Sequence, residues 1–546
     1  MARLGSLVSL MMILGVSQLG VMIFFFPSVY ASALWFSLSI FLMMLSVGKY
    51  AVNLFQESSL NFLFLLFLWA AVGVLVRAEP YAVVSWIRLA NLSMLVFLAV
   101  SLESSLRLGF IRVSWVYSFF LVGGLLSVAF IVMIWLSVDE PREYNWPWGV
   151  QPFLNVRHIS FVLVPAWFSA VYFYIRSESA PVRFGLLLAL ALLLTTSFWL
   201  GGRGALVAIA FFTFLLFRVK EWRNRLFSIF WLLPLSLLLS AMFRVEHPSL
   251  GFMRALQRSG GAGSFDAQGA GDSGRFEMWS DLFRYMLENP LWGYGPDGFS
   301  FTSIGSESTV QPHNAVLQIL GEFGWFGSFL CLFFIIFLCR ALWRLFLLED
   351  WRGHPAYVVS VLGAVSFSVL ALLDGVLYHS QPSVVFIVFL VLVAFCDPSG
   401  PLDTDERVFP RFKIPRIIFS SIVALSVFGA IFFQGLSVIA DNNEVPQPDS
   451  WRAAWVERWP LSVYASRIWL SEWRDNHSAL AEAWMGWLPE VHRRPWLIYA
   501  DIASEEANNG EKKKAVFYYR EAIRNLPSST YRAHNTYRDK IEQIDN

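Results

Sequence analysis

Three positions in this sequence pair a side chain able to act on an anion or a proton with a setting that leaves it uncovered. Arg203 lies in Gly201–Gly202–Arg203–Gly204, Arg275 in Gly274–Arg275–Phe276–Glu277, and His313 in Gln311–Pro312–His313–Asn314. A guanidinium is a fixed planar fork that matches phosphate oxygens, and the glycines around Arg203 permit close approach. An imidazole titrates near neutral pH and can serve as a general base when held in place. Pro312 fixes the chain direction before His313, and Asn314 is a helix-capping residue type. Further candidates are Arg157 beside His158, Arg88, Asp374 and Glu322 within apolar runs, and His379, five residues after Asp374. Ionisable groups in such runs are costly and need a reason. Each also has a plainer reading. Arginines near a membrane surface extend to lipid headgroups, a lone interfacial histidine is a polar anchor, and Asp374 or Glu322 can simply pair with an Arg or His.

The elements that must position these groups are membrane spans. Of 546 residues, 56% are hydrophobic, 17% aromatic and only 15% charged, against about 25% charged in ordinary soluble domains. With a mean hydropathy of +0.55, this excludes a soluble globular enzyme and a disordered chain. Lys+Arg 41 against Asp+Glu 40 gives a net charge of +1, so no attraction to nucleic acid is implied. Apolar stretches of crossing length predict thirteen spans: 5–26, 29–48, 60–77, 83–101, 113–137, 159–176, 184–201, 204–217, 226–243, 314–339, 357–377, 384–396 and 416–440. No small-residue cleavage site follows the first, which reads as an anchor. With the N-terminus in the cytoplasm, every second loop is basic, as the positive-inside rule requires. Lys49, Arg107, Arg112, Arg176, Arg183, the Arg218–Arg225 cluster, Arg340, Arg344, Arg352 and Arg407–Arg416 all fall inside. The outer face then receives 138–158, 244–313 and 441–546, and Arg203, Arg275 and His313 share it.

The loop 244–313 holds a Gly- and Ser-rich stretch, 259–274, followed by a predicted helix over 275–288 and the turn Asn289–Pro290. The chain thus divides into a transmembrane catalytic part, 1–440, and a periplasmic helical part, 441–546. In the latter, 495–527 reads as two amphipathic helices around Asn508–Asn509–Gly510, with Ala500, Ala503, Ala515 and Ala522 as small contact residues. That pattern is of tetratricopeptide type. A single pair cannot bury its own face, so it is expected to pack on 450–490. The three cysteines, Cys331, Cys339 and Cys396, show neither disulfide nor zinc spacing. Asp403–Thr404–Asp405 has acidic metal-site spacing but falls on the inner face, and no metal is expected. Glycines 321, 324 and 327 are expected to serve close helix packing.

Taken as a set, these motifs resemble the O-antigen ligase and polymerase superfamily of bacterial membrane glycan enzymes. The matching residues are Gly202–Arg203–Gly204–Ala205, then Arg275–Phe276–Glu277–Met278–Trp279 with Asn289–Pro290–Leu291–Trp292–Gly293–Tyr294–Gly295 and Phe299, then His313–Asn314 with Glu322–Phe323–Gly324 and Gly327. The resemblance implies an all-α polytopic GT-C-type glycosyltransferase of the Gram-negative inner membrane, active on the periplasmic face. It would be metal-independent, without a cofactor, and inverting. Its donor would be an undecaprenyl-pyrophosphate-linked glycan. By that pattern Arg203 and Arg275, with Arg157 and Arg88, hold the pyrophosphate, and His313 is the essential residue near the acceptor hydroxyl. Asn314, His158, His379, Asp374, Glu322 and Trp279 support the site or its acceptor side. The helical tail resembles the PglL-like oligosaccharyltransferases that modify a Ser or Thr of pilin-like proteins. That branch tends to have an Asn–His pair where this chain has Asn155 and His158 separated by two residues. An O-antigen ligase, with a lipid A core acceptor, and an O-antigen polymerase remain open within the superfamily, and a lipid-linked glycan transporter outside it. Trp279, Trp292, Trp146 and Trp148 either stack on sugar rings or belong to an interfacial aromatic belt.

Overall fold

The computed structural model describes residues 112–144, 156–243, 275–301, 311–398 and 495–545, apart from 289, 297, 349–350, 352, 378–379, 509 and 526–530, plus isolated residues such as Arg88 and Trp146. The expected spans 5–26, 29–48, 60–77 and 416–440, most of 83–101, the stretch 259–274, the acidic cluster at 403–405, Trp148, His379 and the tail before 495 lie outside the described residues.

Among the described residues the regular structure is helical. The elements are α1 (Val113–Ser137), α2 (Ser160–Arg176), α3 (Ala180–Leu200), α4 (Arg203–Phe217), α5 (Lys220–Phe230), α6 (Leu232–Met242), α7 (Arg275–Glu288), α8 (Ala315–Phe323), α9 (Trp325–Leu347), α10 (Pro355–Leu373) and α11 (Ser380–Phe395), then α12 (Pro495–Asn508), α13 (Lys512–Asn525) and α14 (Tyr531–Asp545). Among the described residues five helical stretches are long and apolar enough to cross a membrane: α1, α3, Trp222–Met242, α9 and α10, with α2, α4 and Pro382–Phe395 as shorter apolar helices. A helix that is apolar all round suits burial in protein or lipid, and α1 is of that kind. This is a multi-pass membrane protein.

The bundle is built around α2, in which every residue from Ser160 to Ile175 except Phe173 is buried. It packs against α1, α3, α4, α10 and α11. Pro165 lies within it. The buried Ser169 hydroxyl donates to the Pro165 carbonyl at 2.8 Å, which satisfies that hydroxyl inside the bundle. By contrast α9 buries only Gly327, Cys331, Ala341 and Leu345 and leaves most of its surface outward.

Three expectations change. The span 314–339 is not one helix: it breaks at Gly324, whose φ is +58°, into α8 and α9. The segment Pro290–Gly295 docks at that break. Trp325 N–H donates to the Pro290 carbonyl and Tyr294 N–H to the Gly321 carbonyl, both at 2.7 Å, so the interrupted ladder finds partners elsewhere. A Cβ on Gly293 (φ +61°) would lie 1.9 Å from the Gly321 carbonyl oxygen, and one on Gly321 would lie 2.2 Å from the Tyr294 ring. Gly321, expected to serve close helix packing, packs closely against this docked segment instead, and Gly293 meets it there. The span placed at 226–243 begins earlier, with α5 and α6 joined through Trp231. Trp146 is core rather than a sugar-facing loop residue. It is fully buried, its ring packs on Trp135 and Trp199, and its indole N–H donates to the Pro141 carbonyl.

Two helices, α12 and α13, stand where 495–527 predicts a helix pair, and a third, α14, follows that the sequence did not suggest. Ala500 and Ala503 of α12 meet Tyr519 and Ala522 of α13 and Tyr537 of α14 in one buried cluster. The face thought to need 450–490 is covered, at least in part, by α14.

Candidate active site

The turn that follows α10 gathers the candidate residues. Its pieces are the last helical carbonyl, Leu373, then Asp374, Gly375 and Leu377. Asp374 closes α10 by its own N–H, which donates to Leu370 O, and its Oδ1 accepts from Gly375 N–H at 2.8 Å. The second bond aims the carboxylate.

Five elements deliver side chains or backbone to this turn. The start of α4 is pressed against it: a Cβ on Gly204 would lie 2.9 Å from Leu370 Cδ1 and 3.6 Å from Leu373 Cβ. Arg203, first residue of α4, is exposed there. Among the described residues nothing hydrogen-bonds its guanidinium. Arg275, at the start of α7, donates from Nη1 to the Leu373 carbonyl at 2.7 Å. A guanidinium carries five N–H donors, so this bond orients Arg275 while leaving capacity for an anion. The α2 end enters through Ser160, whose hydroxyl would be 3.0 Å from a Cβ on Gly202, and His158 sits just before it in a 3₁₀ turn, Val156–Ile159. Arg157 belongs to the same turn.

His313 comes from the segment before α8. Its Nδ1 lies 3.5 Å from Asp374 Oδ1, and the two side chains are 31% and 44% exposed, so solvent reaches the pair. The residue has φ +51°, a left-handed conformation that costs a non-glycine residue about 1–3 kcal/mol. The neighbouring residues hold it there. Trp279 of α7 donates from its indole N–H to the Pro312 carbonyl at 2.8 Å. Asn314 caps α8, its Oδ1 accepting from Val316 N–H at 3.0 Å and Leu317 N–H at 3.1 Å. Gln311 is buried against Gly375, where a Cβ would meet its Oε1 at 1.8 Å. Trp279 thus ties the Arg275 helix to the His313 turn.

Arg88 sits differently from a donor-binding arginine. It is buried, donates to the Leu377 carbonyl, and its Nε lies 3.8 Å from Glu322 Oε2. Gln318 donates to Glu322 Oε1 at 2.8 Å. The fold answers the charges of Arg88 and Glu322 with each other, behind the exposed groups. His158 is partly buried, and desolvation lowers its pKa below the ordinary 6.5. The Asp374 carboxylate acts the other way, and His313 lowers it further. That electrostatic reach puts His158, His313 and Asp374 in one neighbourhood. Sequence reasoning did not single out Gln311, Gly375 or the Leu373 and Leu377 carbonyls. Carbonyls leave no sequence signal, but Gln311 stands directly beside Pro312–His313. Among the described residues no three His, Cys, Asp or Glu side chains form a cluster able to hold a metal ion.

The arrangement can bind an anion between two arginines and accept a proton at an imidazole backed by a carboxylate. Comparison with known proteins gives a family match over part of this site. Residues 188–332 match the family model described as O-antigen ligase, a stretch that contains Arg203, Arg275, His313, Asn314 and Glu322, while Asp374 and His158 lie outside it. No curated protein matches the chain. The match supports the O-antigen ligase and polymerase superfamily for this stretch of the chain.

Proposed function

We propose that this protein is a metal-independent, inverting O-oligosaccharyltransferase of the inner membrane. It moves a glycan from an undecaprenyl-pyrophosphate carrier to a Ser or Thr hydroxyl of a pilin-like protein on the periplasmic face. The observation that carries the reading is the convergence of Arg203, Arg275, His313 and Asp374 on the turn after α10. In this scheme Arg203 and Arg275 bind the diphosphate, and Arg157 stands near enough in sequence to His158 to join them. The acceptor oxygen attacks the anomeric carbon from the face opposite the diphosphate. The bond from that carbon to the phosphate oxygen breaks, and its electron pair leaves with the pyrophosphate. With its proton on Nδ1 facing Asp374, His313 keeps Nε2 free to take the acceptor proton. Charge grows on the leaving diphosphate as the bond breaks, so fixed arginines stabilise the transition state more than the ground state.

Two features support a protein acceptor and the outward orientation. The helices α12–α14 form a soluble-type helical unit after the membrane part, suited to holding a folded partner. The basic loops fall on alternate sides of thirteen predicted spans and put the His313 end outside. A second reading, an O-antigen ligase with a lipid A core acceptor, is favoured by the description of the matching family model. One experiment separates the two. A host supplying the lipid-linked glycan, a pilin and lipid A core expresses either this protein or His313→Ala. Intact-mass spectrometry of the pilin and a lipopolysaccharide gel are read from the same cells. A glycan-sized increase on the pilin, lost with His313→Ala, is the expected result. Glycan on the lipid core instead assigns the ligase, and no change on either acceptor overturns both.

A further inference from the structure

At the end of the bundle opposite His313, a cavity of about 720 Å³ opens between the C-terminus of α2, helix α5 and the start of α10. We propose that it binds the phosphate of an anionic phospholipid headgroup, a role separate from glycan transfer. Its size falls in the ~300–1,000 Å³ range of small-ligand pockets.

The lining suits such a group on two counts. Arg176 and Arg225 both contribute to it, as does His354, against Glu178 as the lining carboxylate. Each arginine is oriented by one bond. Arg176 donates to the Tyr172 hydroxyl, with its guanidinium carbon 5.2 Å from that ring's centroid. Arg225 donates from Nη1 to the Ile175 carbonyl at 2.7 Å, and the Tyr174 hydroxyl donates back to the Arg225 carbonyl at 3.2 Å. Each planar fork therefore has a set direction and unused N–H donors. Trp222 and Tyr357 also line the cavity but are themselves buried, so the surface offered to a ligand is chiefly polar, as a headgroup requires. The cavity opens where α2 ends and α10 begins, at the level of the helix ends, which is where headgroups lie. Basic pockets between spans at a membrane face are a recurrent headgroup site. Snorkelling alone does not account for arginines converging from two helices on one cavity.

The test uses the full-length protein in nanodiscs, with retained lipid counted by native mass spectrometry. Phosphatidylglycerol, phosphatidylethanolamine and inorganic phosphate are offered separately, to the wild type and to Arg176→Gln, Arg225→Gln and Arg223→Gln. Arg223 is exposed on α5 outside the cavity lining and controls for charge alone. Phosphatidylglycerol is expected to be retained over phosphatidylethanolamine. Each cavity variant should weaken it about fivefold, with Arg223→Gln unchanged. Because Arg225 also ties α5 to α2, the exposed Arg176 carries the result if Arg225→Gln fails to fold. Competition by millimolar inorganic phosphate would keep phosphate recognition and reassign its source to the soluble ion. Equal retention of both lipids, or equal loss in all three variants, overturns the proposal. Glycan transfer is not read, so the outcome does not depend on the proposed reaction.

Discussion

Gly293→Ala tests how the Pro290–Gly295 segment holds the two halves of the broken helix. The added Cβ would start 1.9 Å from the Gly321 carbonyl oxygen, 2.8 Å from its carbon and 2.9 Å from Gly324 N. Backbone atoms cannot rotate aside, so the segment must retreat by roughly 1.5 Å to restore ordinary contact. Such a retreat breaks the two 2.7 Å bonds, Tyr294 N–H to Gly321 O and Trp325 N–H to Pro290 O, each contributing about 1 kcal/mol. The φ of +61° adds about 1–2 kcal/mol once a Cβ is present. The expected loss is therefore about 3–4 kcal/mol, read as a lower SDS-unfolding midpoint and faster chymotrypsin cleavage between α7 and α8, where Trp292, Tyr294, Phe299 and Phe301 stand. Gly185→Ala is the reference, because nothing lies within 4 Å of a Cβ there, and it should shift stability by no more than about 1 kcal/mol. Since α8 begins immediately after His313, Gly293→Ala should also lower glycan transfer more than it lowers membrane insertion. Equal unfolding and equal transfer for the two variants would refute the docking of this segment on the break.

Removing the Asn314 cap with Asn314→Ala should cost about 1 kcal/mol, while Asn314→Asp, which keeps the acceptor oxygen, should restore most of it; SDS unfolding of both variants checks this. Arg88→Met leaves the buried Glu322 carboxylate without its cation and should destabilise by about 3–5 kcal/mol, and adding Glu322→Gln should recover much of that loss. The double-mutant cycle in unfolding midpoints measures it, and additive losses would contradict the pairing. The His158 pKa is lowered in the folded protein, so the unfolded state binds more protons just below the ordinary 6.5. Its contribution to stability is complete above that value and is lost as pH falls from there toward the folded pKa. His158→Asn should flatten that limb of the stability–pH curve, and an unchanged slope would remove His158 from the account.

The sequence by itself determined the membrane character, because apolar runs of crossing length are a one-dimensional property that no packing alters. It also fixed the helix starts near Arg203 and Arg275 and the role of Asn314, since caps and glycine turns act over three or four residues. The α1 limits, Val113–Ser137, coincide with the span read from composition. The break at Gly324 was hidden because hydropathy cannot distinguish a continuous helix from one interrupted where another segment supplies hydrogen bonds. Trp146 was misjudged for a related reason. A tryptophan in a short loop looks interfacial until Trp135 and Trp199 are found against it. Arg88 and Glu322 carry the same sequence signal as a functional charge, and only their 3.8 Å separation reveals that they answer each other. The site followed the same division. Residue type and local motif selected Arg203, Arg275 and His313, because phosphate binding and proton transfer demand those groups. Only the tertiary structure decided that they meet on the turn after α10, with Asp374 facing the imidazole. Contacts between residues roughly 60 to 170 positions apart depend on how the helices stack, and stacking is set by side-chain shapes on many helices at once.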